Sequence, residues 1–225
     1  QFALMIWVWE QTGQATAMVL MGFFTFVPMV IMMPIAGALV DRWNKKLAMM
    51  LSDLAAGMGT VAILLLYNSG GLQIWHLYAV GVFVGIFGSF QWPAYSSAIT
   101  LMVEKKNYAR ASGLVGMVES VATIFGPPMA AFLLVGIGIR GIMTIDIVTF
   151  CFAIGALLAV RIPNPVKDKE MKAGLGGVFK DASYGFKYIY KRKPLFGLQM
   201  TFFCFNLIST FGMVVMNPMI LARTG

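Results

Sequence analysis

Charge is scarce in this sequence. Asp, Glu, Lys and Arg make up 12% of its 225 residues, about half of the roughly 25% found in an average soluble domain. So few charges cannot clothe a fold in water. Cysteine is nearly absent as well. Cys151 and Cys204 each lie in an apolar run, and no CxxC spacing occurs. That excludes a disulfide framework and leaves two buried, inert thiols as the expectation. The one histidine, His76, sits beside Trp75 in a short polar break. It reads as an interfacial residue, without the neighbours a metal ligand needs. No His/Asp/Ser or metal constellation is present, so the sequence points to no enzyme, no cofactor and no metal site. No basic region precedes the first apolar run, which excludes a signal peptide there. The short alternating strands of a β-barrel are missing too.

What is abundant is apolar. Hydrophobic residues reach 59%, with 18 Met and 18 Phe, and the mean hydropathy is +0.80. A spanning helix needs roughly 20 predominantly apolar residues. Phe2 to Trp9 is shorter than that and reads as the outer end of a helix whose start is missing. Spans are then expected over Ala15–Val40, Leu47–Tyr67, Ile74–Val103 (kinked at Pro93), Ala111–Ile139, Gly141–Val160 and Pro194–Ala222. Turns fall at Glu10–Gly13, Asn68–Gly71 and Arg140. The fold class is thus all-α integral membrane, with one partial and six full helices in a lipid bilayer.

The net charge of +8 acquires meaning from its placement. Fifteen of the seventeen Lys and Arg fall in the loops 41–46, 104–110 and 161–193, which alternate to one side of the helix map; Arg140 and Arg223 fall on the other. The positive-inside rule makes the first side cytoplasmic. The basic balance is therefore a topology signal for a multi-pass protein of the inner (cytoplasmic) membrane, and not a nucleic-acid footprint.

Three regions follow: a transmembrane bundle over 1–162, a cytoplasmic connector over 163–193, and a seventh helix over 194–225. The connector is polar at first and then interleaves Val178, Phe179, Tyr184, Phe186, Tyr188 and Ile189 with lysines. That pattern fits either an interfacial amphipathic helix or a plain linker helix. An internal repeat is also expected. Pro34–Asp53 and Pro128–Asp146 both begin Pro-apolar-Ala-small, place Arg at the loop (Arg42, Arg140) and end on Asp in the next helix. Those helix pairs run in opposite directions, as an inverted three-helix repeat requires.

The string Gly37–Lys46, GALVDRWNKK, resembles the signature between helices two and three of the major facilitator superfamily. The resemblance implies that the bundle is the N-terminal six-helix half of that fold, plus helix seven. It also implies a conformational latch built on Gly37, Asp41, Arg42, Lys45 and Lys46, with Asp53 as a partner. Gly37 would allow a close helix approach, and the basic residues would anchor the loop at the anionic leaflet. Asn44 stands where the family has glycine; asparagine tolerates left-handed backbone, so the turn is expected to survive. On helix five, Gly113, Ala122, Gly126-Pro127 and Ala130-Ala131 resemble the motif of the superfamily's drug:proton antiporters, with three glycines changed to alanine. Alanine keeps a small-residue packing face, and Pro127 and Pro128 kink the helix. Phe90–Leu114 and NPMILARTG at the end look like the branch that contains macrolide-efflux and siderophore-export proteins.

Carboxylates inside a membrane are functional candidates by default. Glu119 falls on the small-residue face of helix five and is expected to point inward; a buried carboxylate holds its proton more readily, as proton exchange requires. Asp146 is the second candidate for proton coupling or substrate binding. Gln91, Trp92, Tyr95, Phe202 and Asn206 are candidate cavity-lining residues, with ordinary interhelical packing as the alternative. The resemblance implies a proton-coupled exporter of small amphiphilic molecules that works by alternating access. Its partners would be a small-molecule substrate, protons, the bilayer, and either a C-terminal half or a second copy. Facilitated or uptake transport, and a non-transporting scaffold or receptor, remain open at this point.

Overall fold

The structure, a computed structural model, describes residues 2–160, 162, 184–185 and 187–224, with side chains over 3–160, 162, 184–185 and 187–209. The described residues are helical, with no strand among them. The order is α1 (Phe2–Thr12), α2 (Ala15–Arg42), α3 (Lys45–Asn68), α4 (Ile74–Gly88), α5 (Gln91–Met102), a 3₁₀ turn (Lys105–Asn107), α6 (Tyr108–Ala159) and α7 (Lys193–Thr224). Among the described residues, four stretches are long and apolar enough to cross a membrane: Ala15–Arg42, Lys45–Asn68, Ile74–Met102 and Lys105–Ala159. Many of their large apolar side chains are exposed, as lipid permits and water does not.

Several boundaries differ from the sequence expectation for physical reasons. The expected kink at Pro93 lies upstream, where α4 ends at Gly88 and α5 begins at Gln91. A proline ring clashes with the carbonyl four residues earlier, here Ser89, so the helix breaks there. The turn expected at Arg140 sits at Gly138, which takes φ 66° inside the 52-residue α6; glycine adopts that backbone at no steric cost. It divides α6 into segments 108–137 and 139–159, the expected helices five and six. The α2–α3 turn needs no left-handed residue at all. Asn44 has φ −63° and caps α3, its side chain accepting from the backbone N–H groups of Lys46 and Leu47.

The chain forms two compact units, Gln1–Met171 and Lys172–Gly225. In the first, α4 lies against α2 and α3, and residues 139–159 run antiparallel to α3. Four contacts set that register. Lys46 meets the carbonyls of Leu158 and Val160, Phe150 covers Gly57, Thr60 meets Asp146, and Arg140 lies 6.0 Å from the Tyr67 ring centre. Glycines bring the helices together. A Cβ on Gly81 would meet the Thr25 hydroxyl at 2.8 Å, and one on Gly85 would overlap the Thr25 carbonyl oxygen. Gly81 and Gly85 form the small-xxx-small pattern that draws membrane helices close.

One apolar cluster gathers Val8, Ala17, Met21, Ile63, Leu77, Ile139 and Met143. A second, around Ala36, Val40, Ala48, Phe90 and Ala94, joins the end of α2 to the start of α5. The α2–α3 turn, the loop after α5 and the end of α6 therefore share one end of the bundle. Gly13, Asn68–Gly71 and Gly138 share the other. Segment 108–137 has no buried residue.

In the second unit, residues 187–191 are helical and lead into α7. Arg192 stacks 4.2 Å from the Tyr188 ring centre, and Tyr190 meets Phe196 edge-on at 5.6 Å. The connector segment 163–183, including Val178 and Phe179, lies outside the described residues. Cys151 and Cys204 are free thiols and exposed, which corrects the expectation that they are buried.

Candidate functional site

Two polar arrangements lie on one stripe of α3. Asp53 and Thr60 are seven residues apart, so they fall within about 20° of each other around the helix and about 10 Å apart along it. Each is about 12 Å from its own end of α3 at 1.5 Å per residue, inside the span.

Near the outer end, Thr60 Oγ1 donates to Asp146 Oδ2 at 2.6 Å. This pair borders a cavity of about 250 Å³ enclosed by α1, α2, α3, α4 and residues 139–159. Thr25 is the other polar side chain in its wall; the rest is apolar, including Leu4, Ile63, Leu77, Val80 and Met143. The Thr25 hydroxyl donates to the Met21 carbonyl at 3.0 Å. Gly59 and Gly81 complete the wall, where Cβ atoms would collide with Val80, Val84 and Thr25.

Nearer the other end, Gln91 Nε2 donates to Asp53 Oδ1 at 3.1 Å, tying α5 to α3. This end carries the Gly37–Lys46 string. Asp41 lies in the last turn of α2 and is exposed, while Arg42 is half-buried beside it. Lys45 is 2% exposed and donates its ammonium protons to the Val40 carbonyl. Lys46 donates to the Leu158 and Val160 carbonyls at 2.8 and 2.9 Å, closing the otherwise unpaired end of α6 as a cation at a helix C-terminus does. Lys45 and Lys46 thus both turn onto backbone carbonyls of the protein. Trp43 stacks on Phe90, with ring centres 5.9 Å apart and planes 6° apart, and seals the turn against α5. Gly37 has open space around it among the described residues.

The remaining candidates lie apart from the cavity. Glu119 is exposed. Gly113 and Gly126 have nothing within 4 Å of a built Cβ, so the small-residue face of helix five, with Ala122, Pro127 and Ala130, is not packed among the described residues. Trp92 is 54% exposed and lies 6.4 Å from Tyr95 between ring centres. Gln91 serves Asp53, and neither Trp92 nor Tyr95 lines the cavity. In the second unit Phe202 and Asn206 are exposed, and Asn206 bonds the Phe202 carbonyl at 2.8 Å. Sequence reasoning missed Thr25, Thr60 and the Gly81/Gly85 pair. The glycine spacing was a readable signal; a lone threonine in an apolar run was not.

Comparison with known proteins bears on this arrangement. The profile of the Major Facilitator Superfamily matches residues 2–223. Macrolide efflux protein A of Streptococcus pyogenes is 26% identical over 212 residues, covering 87% of this chain and 52% of that protein. Macrolide efflux protein A of Enterococcus faecalis is 28% identical over 198 residues, covering 80% of this chain and 61% of that protein. The uncharacterized MFS-type transporter YkuC of Bacillus subtilis is 27% identical over 205 residues, 88% of this chain and 46% of that protein. This chain thus spans about half the length of the curated relatives it matches. No solved structure matches it.

Proposed function

Because this chain belongs to the major facilitator superfamily, we propose that the intact protein exports small amphiphilic molecules across the cytoplasmic membrane in exchange for protons. The observation that carries the coupling is the carboxylate of Asp146, held by Thr60 inside a spanning helix at the edge of a cavity. A group that changes charge within the membrane is what coupling needs, and such groups are too costly there to be incidental. The direction of transport rests on the relatives called macrolide efflux proteins and on the antiporter-like pattern of helix five. The orientation rests on the basic loops 41–46 and 104–110, which gather at one end of the bundle and would face the cytoplasm.

Alternating access needs a second half. The unpacked face of residues 108–137, with Gly113, Ala122, Gly126 and Ala130, is where we place it, and Glu119 on that segment is the second coupling candidate. Asp41, exposed at the end of α2, is the latch residue available to another half, whereas Lys45 and Lys46 are held within this bundle. The repeat of Pro34–Asp53 in Pro128–Asp146 fits a bundle of inverted triplets, since a helix break follows each proline.

Inverted membrane vesicles carrying the intact protein test this reading. A fluorescent amphiphilic dye should accumulate when a proton gradient is imposed, and a protonophore should abolish accumulation. Accumulation that ignores the gradient overturns antiport; transport only in right-side-out vesicles overturns export. Asp146→Asn should lower the gradient-driven rate at least tenfold.

A further inference from the structure

We propose that the cavity between α1–α4 and residues 139–159 binds a protonated amine with a small apolar body, its ammonium seated on Asp146. Donors and acceptors in the wall select the ligand. The Thr60 hydroxyl spends its proton on Asp146 at 2.6 Å, and the Thr25 hydroxyl spends its proton on the Met21 carbonyl at 3.0 Å. A hydroxyl has one proton and two lone pairs, so both present only lone pairs to the cavity. Asp146, when ionised, also only accepts, and with about four lone-pair sites it has room beyond Thr60. The other side chains in the wall are apolar. Every polar side-chain atom offered is therefore an acceptor, and the complementary ligand is a donor.

Charge and size narrow the class. A carboxylate in an apolar setting is costly unless a cation offsets it, so an ammonium fits better than a neutral hydroxyl. An anion would meet only lone pairs and a negative charge. A bare metal ion is a poor occupant: calcium takes six to eight oxygens and magnesium about six, and the wall supplies three oxygen-bearing side chains. The volume of about 250 Å³ exceeds the roughly 150 Å³ of an aliphatic cavity that already takes benzene. An amine bearing one aromatic ring is thus of the right size. Asp146 is itself exposed, which opens the cavity along the flank of α6. The close contacts at Gly59 and Gly81 fix the spacing of α2, α3 and α4 around it.

The site shares Asp146 with the export reading, but binding requires no gradient, so the two stand or fall separately. The test uses the purified intact protein in nanodiscs and ligand-observed NMR titration with benzylamine, benzyl alcohol and benzoate. Benzylamine should bind at least tenfold tighter than benzyl alcohol, and benzoate should not compete. Asp146→Asn should bring benzylamine down to the level of the alcohol. Thr60→Val should weaken the amine by a smaller factor. Equal binding of amine and alcohol, competition by benzoate, or an amine preference that survives Asp146→Asn overturns the proposal. If Asp146→Asn fails to fold, the wild-type ranking of the three probes decides; no benzylamine binding to the folded protein also overturns it.

Discussion

Residues 108–137 and 139–159 are two stretches of one apolar helix, and they behave differently. The second docks along α3 through four particular matches: Arg140 on Tyr67, Asp146 on Thr60, Phe150 over Gly57, and the end of the helix on Lys46. The first carries Gly113, Gly116 and Gly126 with open space beside each. Apolar character is the same in both, so it cannot be what selects a partner. In lipid, hydrophobicity does not drive one helix onto another, because the tails are as apolar as the side chains. Shape fit, hydrogen bonds and capped ends decide.

The comparison can be broken most sharply at the glycines. Gly85→Ala would place a methyl group against the Thr25 carbonyl, and backbone cannot swing aside. We expect a loss on the order of 3 kcal/mol, at the upper end of overpacking costs, read as a large fall in melting temperature in detergent. Phe150→Ala removes the ring that covers Gly57 and should cost about 2 kcal/mol, less than a fully buried Phe because this ring is half-exposed. A null result there would mean that residues 139–159 are not held by this contact.

Gln91→Leu removes the donor to Asp53. The expected cost is about 1.5–3 kcal/mol, that of a lost hydrogen bond to a charged group; Gln91→Glu, which sets two carboxylates together, should be worse. Lys46→Met deletes two bonds to the α6 carbonyls and should cost about 1 kcal/mol, with Lys46→Arg recovering part of it. Gly116→Ala, with nothing within 4 Å, should change stability by less than about 0.5 kcal/mol. If it proves as harmful as Gly85→Ala, segment 108–137 is packed in the intact protein against something this chain lacks.

Much of this was legible from residue order. The apolar spans, the alternation of basic loops and a break near Arg140 between helices five and six followed from apolar length and charge placement. The GALVDRWNKK string located the turn that closes one end of the bundle. Its chemistry was less legible. Asn44 reads as a substitute for glycine, yet it works as a helix cap, because a cap depends on which amides are left unpaired and not on residue size. Lys46 reads as a lipid anchor, yet its partners are 112 and 114 residues away, beyond any local pattern. Asp146 stood out as a charge in lipid; Thr60, its partner 86 residues distant, is one more small polar residue in an apolar string.

Residue order alone placed this protein in a bilayer, marked its apolar spans and basic loops and identified its superfamily. Those properties arise from solvation and local periodicity, both of which are written residue by residue. Only the tertiary structure decided which carboxylate is paired, which lysines are spent on carbonyls and where a cavity of acceptors opens. These depend on which helix faces meet, and in a medium as apolar as the helices themselves, that choice rests on a few distant contacts that no single stretch of sequence contains.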